Sequence, residues 1–245
     1  DAGVHVRING GIVDLDRALW DALSPRKMIR AVDDRLDDNI AFLTVEEVEA
    51  SFNPRMALHR TYRYRLEAME FWVEPQHEAF RRWLDLFVGT YDARNFARLE
   101  EGKNPIRTVL ETKPWMDGER LIGFEVTGEA FLWNQVRRMA NALFRLAVGE
   151  LDENEIREAI EQPMVPVDFG VAPPEWLVLW GVAWERAPLP QESHSTVFSA
   201  PPTGRTAERT RNGRWRQAAQ HELKSMLYNE WAEIGTLPVV YHRSQ

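Results

Sequence analysis

Apolar positions along the 245-residue chain recur with two different periods, and the switches between them mark out the elements. The runs GIVDL (11–15) and NIAFLTVEEV (39–48) predict short strands, and between them RALWDALSPRKMIRAV (17–32) predicts a helix interrupted at Pro25. RTYRYRLEAMEFW (60–72) alternates and is rich in Tyr, Thr and Phe, so it predicts a strand. The period then lengthens in EPQHEAFRRWLDLFVGTY (74–91), a predicted helix with Trp83, Leu84, Leu86 and Phe87 on its apolar side. IRTVLETKPWMDGERLIGFEVTG (106–128) predicts a hairpin turning at Asp117-Gly118, and FLWNQVRRMANALFRLAVG (131–149) a long helix ending at Gly149. A short acidic helix at DENEIREAI (152–160) and a buried strand at EWLVLWGVAWE (175–185) follow. APLPQESHSTVFSAPPTG (187–204) reads as a linker, and 206–235 as a helix broken or kinked near Gly213. Strands and helices interleaved in this way, and joined by hairpins, predict an α+β fold.

Composition narrows the chemistry. Zero Cys removes disulfides, thiolate metal sites and thiol nucleophiles, leaving carboxylates, His, Tyr, Ser and Lys. The six His are scattered without ligand spacing, so no metal site is expected, and Ser193-His194-Ser195 sits in the linker. No dinucleotide fingerprint, phosphate loop, HExxH or nucleophile elbow is present. No apolar run approaches a bilayer span and no secretory signal opens the chain, so a cytoplasmic protein with no membrane partner is expected. The net charge of −8 argues against a generic nucleic-acid binder, yet 26 of the 30 basic residues are Arg, the side chain suited to bidentate phosphate and base-edge contacts.

Three stretches gain meaning once nucleic acid is considered. In HRTYRYRL the strand period places Arg60, Tyr62 and Tyr64 on one face and His59, Thr61, Arg63 and Arg65 on the other. Pattern alone leaves two readings open: a base stacked on one face with phosphate on the other, or an edge strand with half-buried Tyr and solvated Arg. In FLWNQVRRMANALFRL, Leu132, Val136, Met139 and Leu143 form an apolar stripe, while Asn134, Arg137 and Asn141 share a polar one. Arg205, Arg209, Arg211, Arg214 and Arg216 form a basic patch that is either an RNA contact or a solvated helix face. The opening DAGVH holds a carboxylate out on tight backbone at Gly3.

Taken in order, DAGVH, FNPRMALHRTYRYRL, YDARNFAR…PIRTV and GEAFLWNQVRRMANAL resemble the signature stretches of the TruA family of tRNA pseudouridine synthases, and PPEWLVLWGVAWE is similar to that family's closing segment. The likeness runs from residue 1 to about 187. It implies Asp1 as nucleophile, Tyr62 as the active-site Tyr and Arg137 as the buried Arg, acting without metal or organic cofactor on uridines of the tRNA anticodon stem-loop at family positions 38–40. It also implies a mixed, largely antiparallel sheet built from two related halves with an RNA cleft between them, and a homodimer. On this reading residues 1–66 are the remainder of the first half, 67–187 the second half, and 188–245 a linker with a helical extension. The family's opening strand and the Arg-Thr before the nucleophile have no counterpart, so the chain is expected to be a fragment of a longer synthase.

The residue types suit that chemistry. A carboxylate attacks the sugar or assists glycal formation, an Arg keeps it charged, and a Tyr offers a stacking ring and a hydroxyl to relay the C5 proton. Arg60, Arg63 and Asn134, close to these residues in sequence, are candidates to bind the RNA. An inactive RNA-binding fragment, a synthase acting on another RNA, and a two-carboxylate glycosidase are the alternatives, the last with no second carboxylate that singles itself out.

Overall fold

The computed structural model describes residues 2–36, 39–185, 198–201 and 211–236. Six strands form one sheet: β1 (His5–Val6), β2 (His59–Tyr64), β3 (Gly89–Asp92), β4 (Ile106–Asp117), β5 (Arg120–Gly128) and β6 (Leu177–Ala183), in the order β1-β6-β2-β5-β4-β3. Only β1 runs parallel to its neighbour; every other pairing is antiparallel, so the fold is α+β with a mixed sheet.

The helices are α1 (Arg17–Ala22), α2 (Pro25–Asp33), α3 (His77–Asp85), α4 (Gln135–Ala147), α5 (Glu153–Glu161) and α6 (Arg211–Thr236). Phe80 and Leu84 of α3, Met139 and Leu143 of α4 and Ile156 of α5 pack with Tyr64, Phe124 and Val126 to make the main core on one sheet face. On the opposite face Leu223, Met226 and Leu227 of α6, with Phe198, cover Trp115, Ile122, Val178 and Trp180. Both faces of β6 are thereby roofed, which is why all seven of its residues are buried and its sequence is a continuous apolar run.

Several expected elements appear with adjusted ends. Pro25 separates α1 from α2, whose Ser24 cap accepts from Lys27 N. The hairpin β4–β5 and the caps of α5 follow the sequence pattern, with Asp152 and Glu155 closing a reciprocal capping box. β2 ends at Tyr64 and the chain tightens into a single 3-10 turn at Leu66–Ala68. α3 ends at Asp85, and Gly89–Asp92 instead pairs with β4. α4 begins four residues after Phe131.

Two expected strands are absent. Residues 11–15 and 39–48 form no ladder, and Ile12, Val13, Ile40 and Val48 are exposed. A strand needs a partner, and the sheet edge beside β6 is taken by His5–Val6. The expected break near Gly213 is also corrected: α6 runs unbroken from Arg211, with Gly213 inside its first turn. Of the expected linker at 187–204 only residues 198–201 are described; Arg205 and Arg209 also lie outside the described residues, as do the side chains of Arg211 and Arg214.

Candidate active site

Three segments converge at the end of β2, and each is held there by backbone groups. The first is the opening turn. Gly3 has φ +85°, and a Cβ there would lie 3.0 Å from Pro174 Cγ, so both its conformation and the close packing call for glycine. From this turn β1 hydrogen-bonds to β6 with His5 opposite Val178, and Val4 packs against the main core. Burial, aided by Lys224, pushes the His5 pKa down and keeps its imidazole neutral.

The second segment is β2 itself. Tyr62 and Tyr64 face the helical layer, as the alternation predicts. Tyr64 donates its hydroxyl to Pro173 O at 2.9 Å, tying β2 to the chain under the opening turn. Tyr62 packs edge-on to Phe131, centroids 5.4 Å apart, and its hydroxyl makes no hydrogen bond to a described residue. Burial raises the Tyr62 pKa against the opposing pull of Arg60, so the phenol keeps its proton.

The third is the entry to α4. Asn134 adopts the left-handed conformation at φ +63°, costly for a residue with a Cβ, and its side-chain oxygen accepts from Arg137 Nη1 at 3.0 Å. Arg137 Nε donates to Ala172 O at 2.7 Å, Asn141 Nδ2 to Phe169 O at 2.6 Å, and Arg138 Nη1 to Asp168 Oδ1 at 2.6 Å. The polar side of α4 is therefore a clamp on residues 168–172, which lead into β6. Desolvation lowers the Arg137 pKa, a shift opposed by Tyr64 and Glu175, and the guanidinium remains a cation.

Between these segments lies a cavity of about 430 Å³ whose walls include Val4, Tyr62, Phe131, Trp133, Asn134 and Arg137. That volume falls within the roughly 300–1,000 Å³ of small-ligand sites. One wall is aromatic, another carries a cation fixed by two hydrogen bonds, and a third is the opening turn.

The structure thus brings together Tyr62, Arg137 and Asn134. Asp1 lies outside the described residues. Arg60 is engaged with backbone, donating to Glu129 O at 2.8 Å and Arg55 O at 2.9 Å. Arg63 is placed on the opposite sheet face, ion-paired with Glu125 at 2.8 Å and stacked between Trp115 and Trp180 at 5.4 and 3.9 Å. Tertiary packing, which the strand pattern does not carry, turns that side of β2 into an interior under α6. Phe131 and Trp133 were missed by sequence reasoning because it placed them inside the helix and off its apolar stripe, whereas α4 begins only at Gln135.

Comparison with known proteins supplies a second line of observation. A family model described as tRNA pseudouridine synthase matches residues 84–185, a span that includes Arg137. A tRNA pseudouridine synthase A of Methanoculleus marisnigri is 36% identical over 199 residues, covering 80% of this chain and 68% of the relative. One of Methanocorpusculum labreanum is 32% identical over 174 residues, 71% of this chain and 59% of the relative. One of Thermococcus kodakarensis is 37% identical over 147 residues, 58% of this chain and 51% of the relative. The chain thus spans between about half and two thirds of the length of these relatives.

Proposed function

Because this chain belongs to the tRNA pseudouridine synthase family, we propose that it isomerises uridine to pseudouridine in tRNA, using the cavity between Tyr62 and Arg137. The observation that carries this reading is convergence. The opening turn, the Tyr of β2 and the Arg of α4 lie far apart in the chain, yet Val4, Tyr62 and Arg137 line one cavity.

The reaction breaks the N1–C1′ bond, turns the base within the site, joins C5 to C1′, and moves the C5 proton away while N1 gains one. Asp1, three residues before Val4, supplies the carboxylate that stabilises or captures the sugar at C1′. Arg137, aimed by Asn134 and Ala172, holds that carboxylate ionised. Tyr62 and Phe131 cradle the detached base while it turns. Since burial keeps the Tyr62 phenol protonated, it accepts the C5 proton only by passing its own onward, a relay rather than a free phenolate base. The anticodon stem-loop as target, the independence from metals and cofactors, action in the cytoplasm and a homodimer are proposed on the family resemblance alone.

Release of tritium from C5 of uridine-labelled tRNA tests the reading. The chain is expected to release tritium, and Asp1→Ala to abolish release while leaving tRNA binding in place. Release unchanged by Asp1→Ala rejects the nucleophile; binding without release from the parent chain favours an inactive RNA binder.

A further inference from the structure

Resting on that function, we propose that Trp133 and Arg98 form a stacking platform at the mouth of the cavity, on which a base next to the target uridine is held. Phe131, Leu132, Trp133 and Asn134 all line the cavity, but three of them have partners within the fold. Phe131 meets Tyr62, Leu132 is buried, and Asn134 binds Arg137. Trp133 is instead 43% exposed, although the same chain buries Trp176 to 1%.

The exposed indole is nonetheless held in place. The Arg98 guanidinium sits 4.3 Å from its ring centroid, and Arg98 N donates to Trp133 O at 2.9 Å. One ring face is covered by a cation, which leaves the other for a ligand with a flat π-surface. Glu100 lines the same cavity, and its carboxylate disfavours phosphate at that spot, so the group that fits is a base rather than backbone. The need for such a surface follows from the reaction. Extruding a uridine strips stacking partners from its neighbours, and an indole already oriented by Arg98 restores one of them at little entropic cost.

The test uses the full chain and two anticodon-arm RNAs carrying 2-aminopurine immediately 5′ or immediately 3′ of the target uridine. Stacking on the indole quenches the probe at one of these positions on binding to the parent chain. In Trp133→Ala the quench is lost and affinity falls about tenfold, whereas Trp133→Phe keeps most of both. If Trp133→Ala melts early, Trp133→Leu, which keeps bulk without a π-face, takes its place. Equal affinity and quench in the parent and Trp133→Ala chains overturn the platform, and tritium release by the parent chain then leaves the isomerase reading standing. Equal losses in Trp133→Phe and Trp133→Ala also overturn it, because ring stacking is then not what holds the base. A parent chain that neither binds the arms nor releases tritium overturns the platform and the isomerase reading together.

Discussion

Asn134 carries two burdens in one residue: a left-handed backbone and a hydrogen bond that aims Arg137. Substitutions separate them. Asn134→Ala loses the hydrogen bond and keeps the backbone strain, with an expected stability loss of about 1 kcal/mol in thermal unfolding. Asn134→Gly relieves the strain, so its melting temperature recovers while tritium release stays depressed. Equal activity in the glycine variant and the parent chain shows that Arg137 is positioned without Asn134. The identity of these residues was legible in the sequence, since the FLWNQVRR stretch and the RTYRYR stretch stand out by motif. Their roles were less so. A φ of +63° has no sequence signature at an Asn that equally reads as the wet side of a helix. Three tyrosines, Tyr64 buried and Tyr62 and Tyr91 half-buried, also set an alkaline limit. Burial raises the pKa of Tyr62, Tyr64 and Tyr91, so the unfolded chain loses these protons first as pH rises. Their stabilisation is full below about pH 10 and is lost above it. Urea midpoints measured across that range are expected to fall; a flat profile contradicts the desolvation of these side chains.

Helix α6 shows how an element acquires its place. Its sequence reads as a helix with a basic start and a break or kink near Gly213, and its contacts with the sheet define it more closely. Glu230 pairs with Arg7 at 2.8 Å, both side chains being 1% exposed or less, and Trp231 Nε1 donates to Arg7 O at 2.7 Å. Glu222 reaches Arg65 at 3.0 Å, and Ala219 O accepts from the same guanidinium at 2.9 Å. Two arginines, Arg7 just after β1 and Arg65 just after β2, thus grip the helix, and the sheet face it covers is the one that holds Arg63. Glu230→Ala leaves the Arg7 cation buried without its carboxylate and is expected to cost about 3–5 kcal/mol. Arg7→Met combined with Glu230→Met removes both charges and recovers most of that loss, measured by chemical unfolding. A double variant no better than Glu230→Ala shows that packing, not the charge pair, seats α6.

At the scale of the whole molecule the proposed function raises the question of how a chain of net charge −8 meets a polyanion. Several of its arginines are engaged inside the fold: Arg7, Arg63 and Arg65 are buried or nearly so in ion pairs and against tryptophans. Phosphate contacts therefore fall to guanidinium groups that remain exposed at the surface, away from Glu100. Binding of tRNA is expected to weaken with salt with a log–log slope of about −3, that of roughly four contacts; a flat response counts against RNA as substrate. No helix among the described residues is long and apolar enough to cross a membrane.

The sequence by itself determined the fold class, the hairpin β4–β5 and the core helices α4 and α5, because these depend on local periodicity, capping and residue type; Tyr62 and Arg137 were singled out as candidates only through the resemblance of their motifs to a known family. Only the tertiary structure decided that residues 11–15 and 39–48 find no strand partner, that Arg63 faces an interior under α6, and that Trp133 stands exposed at a cavity mouth. Ladder pairing and burial depend on which segments meet across the fold, and a single strand or helix pattern holds no record of what will lie against it.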